Sequence, residues 1–166
     1  MNWQEIITDC GPALLPGDLK DFELQLSYSL PVDYFEFLLA YNGGSINFEH
    51  EFFSETMDEG LFVYCLDPLN GDETNLGIKG FREMQMADRW YRKELLNIGS
   101  DMGTGYYFLV LDGPERGAVY FSYQDDLVPL ELASWNSANW CIPKTMHKVA
   151  STFNDLGVLI SKSACD

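Results

Sequence analysis

Basic residues are scarce in this chain. Ten Lys and Arg stand against 26 Asp and Glu in 166 residues, and the net charge is −16. Phosphate backbones are held by Lys and Arg, so a surface this poor in cations argues against nucleic acid as a direct ligand. Histidine is scarcer still. Only His50 and His147 occur, in neither H-E-x-x-H nor any other metal-ligand spacing, so no metal site is expected. The four cysteines, Cys10, Cys65, Cys141 and Cys165, form no C-x-x-C pair. A chain of this length buries a sizeable core without staples, so they read as thiols of a reducing compartment, not as a disulfide framework. No run approaches the ~20 apolar residues of a membrane helix. The opening "MNWQEIITDC" has neither a basic n-region nor a long apolar stretch, which argues against a signal peptide. No internal repeat or low-complexity linker is present. These absences predict one soluble, cytoplasmic domain with no cofactor and no membrane partner.

What is present is globular: 46% of residues are apolar and 14% aromatic, far from the composition of disordered chains. The acidity has two readings. One is solubility; the other is steering toward a basic partner, because summed charge speeds the encounter of opposite surfaces.

Helices dominate the first quarter. Trp3, Ile6, Ile7 and Cys10 follow helical spacing, with Gly11 as a left-handed stop. "PGDLKDFELQL" predicts a second helix, capped by Asp18 and striped by Leu19, Phe22 and Leu26. "LPVDYFEFLLAYNGG" predicts a third. There Pro31 suits the first turn, Asp33 faces the positive end of the dipole, and Tyr34, Phe37, Leu38 and Tyr41 recur at helical spacing. Asn42, Gly43 and Gly44 end it, because both residue types accept positive φ.

Strands follow. "SINFE" and "EFFSE" are short and pair or form a loop; "GLFVYCL" (60–66) reads as one apolar strand. "DPLNGDETN" reads as a solvated acidic loop, and "FREMQMADRWYRKELL" as mostly helical. Half of the ten basic residues lie between Lys79 and Lys93, so the acidic field is uneven. "YYFLVLD" and "GAVYFSY", joined through "GPER", predict a hairpin with Tyr106 to Leu111 antiparallel to Ala118 to Tyr123. "LVPLEL" suits an edge strand because of Pro129. "ASWNSANWCIP" has no legible pattern. "MHKVASTFNDLGVLI" predicts a closing helix with Val149, Phe153, Leu156 and Ile160 facing the core. The order gives an α+β fold: N-terminal helices, a central, mostly antiparallel twisted sheet and a C-terminal helix.

Nothing in this pattern signals catalysis. Cys141 and His147 have no orienting motif near them, and buried structural Cys is the commoner case. "IGSDMGTGYYF" is glycine-rich but leads into a strand and lacks the Lys-Ser/Thr of a phosphate loop. It reads as a turn between strands. "DPLNGDE" misses the acidic positions of a calcium loop, with Leu69 and Gly71 standing there. Carboxylate pairs are too abundant to point anywhere without geometry.

The pattern Glu23, Leu30, Pro31, Tyr34, Phe37, Leu38, Tyr41, Asn42, Gly43, Gly44 resembles the signature of the SUKH superfamily, "E-x(6)-LP-x-x-Y-x-x-FL-x-x-YNGG". Three later pieces resemble it in the same order: "IGSDMGTGYYFLVLD", "GAVYFSYQDD" and "VASTFNDL". Together they span Asp18 to about Leu159. Met102 and Thr104 interrupt the usual glycine pair, and residues 127–148 form a longer stretch than the pattern has, a possible insertion. Leu30, Pro31, Tyr34, Phe37, Asn42, Gly43 and Gly44 read as architecture in this motif, not as chemistry.

The superfamily includes a yeast cell-wall-assembly-regulator-like domain and many bacterial immunity proteins. The resemblance implies a non-enzymatic protein that binds and neutralises a cognate toxin, of basic nuclease type given the charge. A scaffold or regulatory interaction domain is the alternative, and an enzyme or small-ligand binder a third reading. For toxin binding the candidates are Glu49, Glu51, Glu55, Asp58, Glu59, Asp67, Asp72, Asp101, Asp125 and Asp126. Tyr64, Tyr123, Trp135 and Trp140 are the candidate aromatic anchors.

Overall fold

In a computed structural model of the chain, the described residues are 3–46, 50–72, 76–88, 92–101, 103, 105–126 and 142–163, with main chain alone at 85–88 and 163. The strongest strand signal builds the centre. β6 (Leu95–Ser100), β7 (Gly105–Val110) and β8 (Val119–Tyr123) form an antiparallel meander. The β7–β8 pair is the predicted hairpin, in a register that sets Gly105 opposite Tyr123 and Leu109 opposite Val119. Short strands extend it: β1 (Ile7–Thr8), β2 (Gly44–Ile46) and β5 (Cys65–Leu66) on one side, β9 (His147–Ala150) on the other. The seven-stranded order is β1-β2-β5-β6-β7-β8-β9, antiparallel throughout. A separate hairpin pairs β3 (Phe52–Ser54) with β4 (Glu59–Leu61). The α-helices are α1 (Pro16–Leu26), α2 (Val32–Tyr41), α3 (Gly77–Asp88) and α4 (Phe153–Ser163). The fold is α+β.

Alternation along the meander gives the sheet two buried faces. Leu96, Ile98, Tyr107, Leu109, Val119 and Phe121 point to the main core, shared with Leu19 and Phe22 of α1, Tyr34 and Phe37 of α2, and Phe153 and Leu156 of α4. Aromatic contact binds this layer: Phe153 stacks on Trp3 at 4.8 Å and meets the edge of Tyr34 at 4.8 Å. Leu95, Phe108, Val110 and Tyr120 point the other way, onto Met146 and Ile142, with Phe81 of α3 edge-on to Tyr106.

Several local expectations give way to pairing. The first predicted helix is a single 3-10 turn, Trp3–Glu5, followed by β1, whose Ile7 pairs with Ile46. An isolated short helix is marginal, and the β-branched run Ile6-Ile7-Thr8 suits a strand. Gly11 is no left-handed stop; a side chain there would meet the Asn42 carbonyl at 2.4 Å. α1 begins at Pro16, ahead of Asp18, whose carboxylate accepts the Leu15 N–H from the first turn at 2.8 Å. Residues 60–66 are not one strand. Leu61 turns back onto Phe52, while Cys65 and Leu66 cross to β2 and β6. Helix α3 stops by Asp88, and Leu95 and Leu96 join the sheet. The closing helix starts at Phe153, because His147–Ala150 is taken up by the edge of β8; Thr152 then caps α4 by accepting the Asp155 N–H at 3.0 Å. The predicted edge strand at Pro129 lies outside the described residues.

The glycine-made helix exit is as predicted. Asn42, Gly43 and Gly44 have φ of 49°, 80° and 140°. The Asn42 amide then bridges distant chain: its Nδ2 donates to the Pro12 carbonyl at 2.8 Å, and its Oδ1 accepts the Leu69 N–H at 2.8 Å. Asn42 is 2% exposed and Leu69 fully buried, so the Leu69 N–H has no water to fall back on. The motif residue Glu23 and its neighbour in the same stretch, Asp33, are also structural. Glu23 accepts the Leu30 N–H at 2.8 Å, which explains their spacing, and Asp33 accepts the Asn154 N–H of α4 at 3.0 Å. Replacing Asn42 with Ala orphans the buried Leu69 N–H, leaves the Pro12 carbonyl to water, and puts a residue that tolerates positive φ less well than Asn at φ 49°. The expected loss is about 2–4 kcal/mol in urea denaturation, with Asn42→Gly recovering only the backbone part.

Candidate functional site

The turn after β6 and the end of β8 lie side by side at one end of the sheet. Asp101 follows Ser100 and folds its carboxylate back onto the turn, accepting the N–H of Gly103 at 2.9 Å and of Gly105 at 2.8 Å. Gly105 pairs with Tyr123, the last residue of β8. Gln124–Asp126 then makes a 3-10 turn that leaves Asp125 and Asp126 exposed.

The β3–β4 hairpin docks on the same end. Phe52 and Leu61 point into the core; between them Phe53 points out and is 60% exposed. Glu51 lies over Gly60, which pairs with Phe53. The hairpin turn carries exposed Glu55 and Asp58, the latter at φ 56°. Two contacts tie it down. Thr56 Oγ1 donates to the Lys148 carbonyl of β9 at 3.1 Å, and Tyr123 Oη donates to Glu59 Oε1 at 2.5 Å.

This arrangement sets the electrostatics. The Glu59 carboxylate holds the Tyr123 proton and, with burial and the nearby Asp101 and Asp126, pushes the phenol up to about 12. Tyr107 is pushed up chiefly by burial, then by Asp101 and Tyr123; its hydroxyl donates to the Phe62 carbonyl at 3.0 Å. Tyr64 joins the same end: its N–H donates to the Ser100 carbonyl at 2.9 Å, and its side chain is 41% exposed. The structure therefore brings Glu59, Asp101, Asp125, Asp126, Tyr64 and Tyr123 to one end of the sheet, with Glu51, Glu55 and Asp58 on the hairpin that is bonded there through Glu59. Loops remote in sequence converge there because β6, β7 and β8 end together and the hairpin is bonded across them.

Other candidates fall elsewhere. Asp67 is not part of a solvated loop; it is 3% exposed, its N–H bonded to the Ile98 carbonyl at 2.9 Å, because β5 draws it under the sheet edge. Asp72 is exposed, in the loop leading to α3. Glu49, Trp135, Trp140 and Cys141 lie outside the described residues, and His147 is a half-buried residue of β9. Sequence reading missed Phe53. Its signal was the alternation in "EFFSE", where two adjacent Phe on a short strand must face opposite ways.

Among the described residues, no group of three or more His, Cys, Asp or Glu could hold a metal ion, and no helix is long and apolar enough to cross a membrane. Cys65, beside Asp67 and Ser100, is pushed up by burial, which keeps it a protonated thiol at neutral pH. The chemistry on offer at the sheet end is recognition: fixed negative charge around exposed aromatic rings.

The Glu59–Tyr123 bond makes a checkable pH prediction. Its contribution is fully present below the ordinary phenol value of 10 and is lost as pH rises through about 12. In a spectrophotometric titration, the signal absent from Tyr123→Phe is expected only near the upper value. Glu59→Gln is expected to bring it down.

The family model described as SMI1 / KNR4 family (SUKH-1) matches residues 14–156. No curated protein matches the chain. The matched span takes in the Asn42 hub, the whole β6–β8 meander and the start of α4. The chain belongs to the SMI1 / KNR4 family (SUKH-1).

Proposed function

We propose that this protein is a non-catalytic immunity protein that captures a cognate toxin domain of basic, nuclease type through the acidic end of its sheet. The observation that carries this reading is the Tyr123–Glu59 bond, which ties the hairpin bearing Glu51, Glu55, Asp58 and exposed Phe53 to the sheet end bearing Asp101, Asp125, Asp126 and Tyr64. Membership of the family and the net charge of −16 support it.

A nuclease holds its substrate through basic groups that contact phosphates. A partner with ordered carboxylates competes for that surface and is drawn to it over a Debye length, about 8 Å at physiological salt. Charge raises the association rate; burying aromatic rings slows dissociation. The hairpin supplies both, with Phe53 and the acids on one short element held by Tyr123 and Thr56.

The test begins with co-purification alongside neighbouring gene products, seeking a stoichiometric complex with a basic toxin domain. Recovery of host regulatory proteins alone would favour a scaffold role instead. With the complex in hand, the Glu55→Lys, Asp58→Lys, Asp125→Lys triple variant is expected to slow association about tenfold at low salt and flatten its salt dependence. Phe53→Ala is expected to act mainly on dissociation. Stopped-flow traces identical to the parent for both variants would sink the reading.

A further inference from the structure

Opposite the acidic end, the protein carries a cationic groove. It has a volume of about 520 Å³ and lies between the last turn of α1 and the outer side of α3. Lys79, Arg82 and Lys93 line it, with Glu83 the one acid, over an apolar floor of Phe22 and Leu26. Lys93 precedes β6 and Asp101 follows it, so the groove and the acidic end sit at opposite ends of one strand, about 20 Å long at the usual rise.

These cations differ from the protein's ion-paired ones and resemble Arg116, which is held by the Ser29 and Leu30 oxygens. Lys20 pairs with Glu23 at 2.7 Å, Lys148 with Glu115 at 2.6 Å, and Arg92 with Glu94 at 2.9 Å. Among the described residues the groove cations form no direct ion pair, and the nearby Glu94, whose charge acts on Arg82 and Lys93, is bonded to Arg92. Lys79 donates to the Asn70 side-chain carbonyl at 3.0 Å and lies over the Phe22 ring; Lys93 lies over the Tyr28 ring, 5.7 Å from its centre. Arg82 is locked in place, donating to the Leu95 carbonyl at 3.0 Å and the Lys93 carbonyl at 2.8 Å. A guanidinium has five N–H donors, so Arg82 keeps others for a ligand. In a chain with 26 acids, solvated surface cations would be expected to find carboxylates. Here neutral oxygens and rings hold them instead, and their charge stays available.

We infer that this groove is a binding site for a small organic phosphate monoester, independent of the acidic face. Three cations against Glu83 leave two positive charges, which matches the roughly −1.5 to −2 of a phosphate monoester near pH 7 better than a single carboxylate. Arg82 supplies planar donors and the two lysines point charges. The volume lies in the ordinary range for ligand sites, about 300–1,000 Å³, and far exceeds a bare phosphate. The apolar floor gives an organic body something to cover.

The test is titration of the full chain with AMP and with glucose 6-phosphate, read by calorimetry and by amide shifts. Adenosine, inorganic phosphate and an oligo-glutamate peptide serve as comparisons. Saturable binding of at least one monoester is expected, with its dephosphorylated form and inorganic phosphate each about tenfold weaker or more. Lys79→Ala and Lys93→Ala should each weaken it several-fold, with unchanged melting temperature and shifts confined to the groove. Arg82→Lys is the less clean variant, since Arg82 also ties α3 to β6. No saturable binding of either monoester overturns the inference. So do equal binding of inorganic phosphate, indifference to both lysine variants, or preference for the peptide, which would assign the groove to a protein's carboxylates.

Discussion

The Asn42 amide joins three stretches of chain that are otherwise independent: the segment before α1, the exit of α2 and the loop leading to α3. Everything downstream inherits its position from that junction. Gly43 and Gly44 follow with the backbone pressed against neighbours; side chains there would meet the Leu66 and Thr8 carbonyls at 2.6 Å. This close approach lets β2 slot between β1 and β5. A slip of one residue would turn Ile46 from the core to solvent, since strand faces alternate. β5 in turn aligns on β6, so the register of the meander is coupled to a helix cap more than 50 residues earlier. The motif thus acts as a topological rivet, which is why its residues contribute architecture and no chemistry.

What was legible in the sequence was what local physics decides. The α2 stripe, its Asn-Gly-Gly exit and the β7–β8 hairpin are each specified within a dozen residues by periodicity and turn chemistry. What was not legible depended on distant partners. Trp3, Ile6 and Ile7 have helical spacing, yet Ile7 finds Ile46 and pairs as a strand. His147–Ala150 could extend α4, yet the open edge of β8 satisfies its backbone first. The run 60–66 reads as continuous because Leu61, Val63 and Leu66 all feed one core, though its two halves pair into different sheets. For the site, residue types alone named most of the acidic end. Separating Asp67, drawn under the sheet, from Asp101, held at its tip, required the pairing of β5 with β6.

Charge in this molecule is segregated, not merely abundant. At the tip of the meander, carboxylates are fixed by hydrogen bonds that spend none of their net charge: Asp101 on backbone N–H groups, Glu59 on a phenol. At the base, cations are fixed by carbonyl oxygens and aromatic rings, with no direct ion pair. Elsewhere Arg92–Glu94 shows the other solution, in which the ion pair cancels. There burial alone would raise the Glu94 carboxyl, but the Arg92 hydrogen bonds, a backbone N–H and the charges of Arg92 and Lys93 together outweigh it and hold the group below its ordinary value.

A fixed dipole along β6 has a consequence for recognition. A basic partner approaching the acidic tip is attracted there and repelled at the base, so the field orients it as well as attracting it. Orientation matters because docking of specific patches, not collision, limits ordinary association. The ordering of Glu59 against Tyr123 then keeps one carboxylate from having to reorganise on contact, and Phe53 offers apolar area that is already exposed. Charge of −16 spread evenly would attract a basic surface to every side of the protein alike. The share of that charge held at the tip, opposed by Lys79, Arg82 and Lys93 at the base, biases the side.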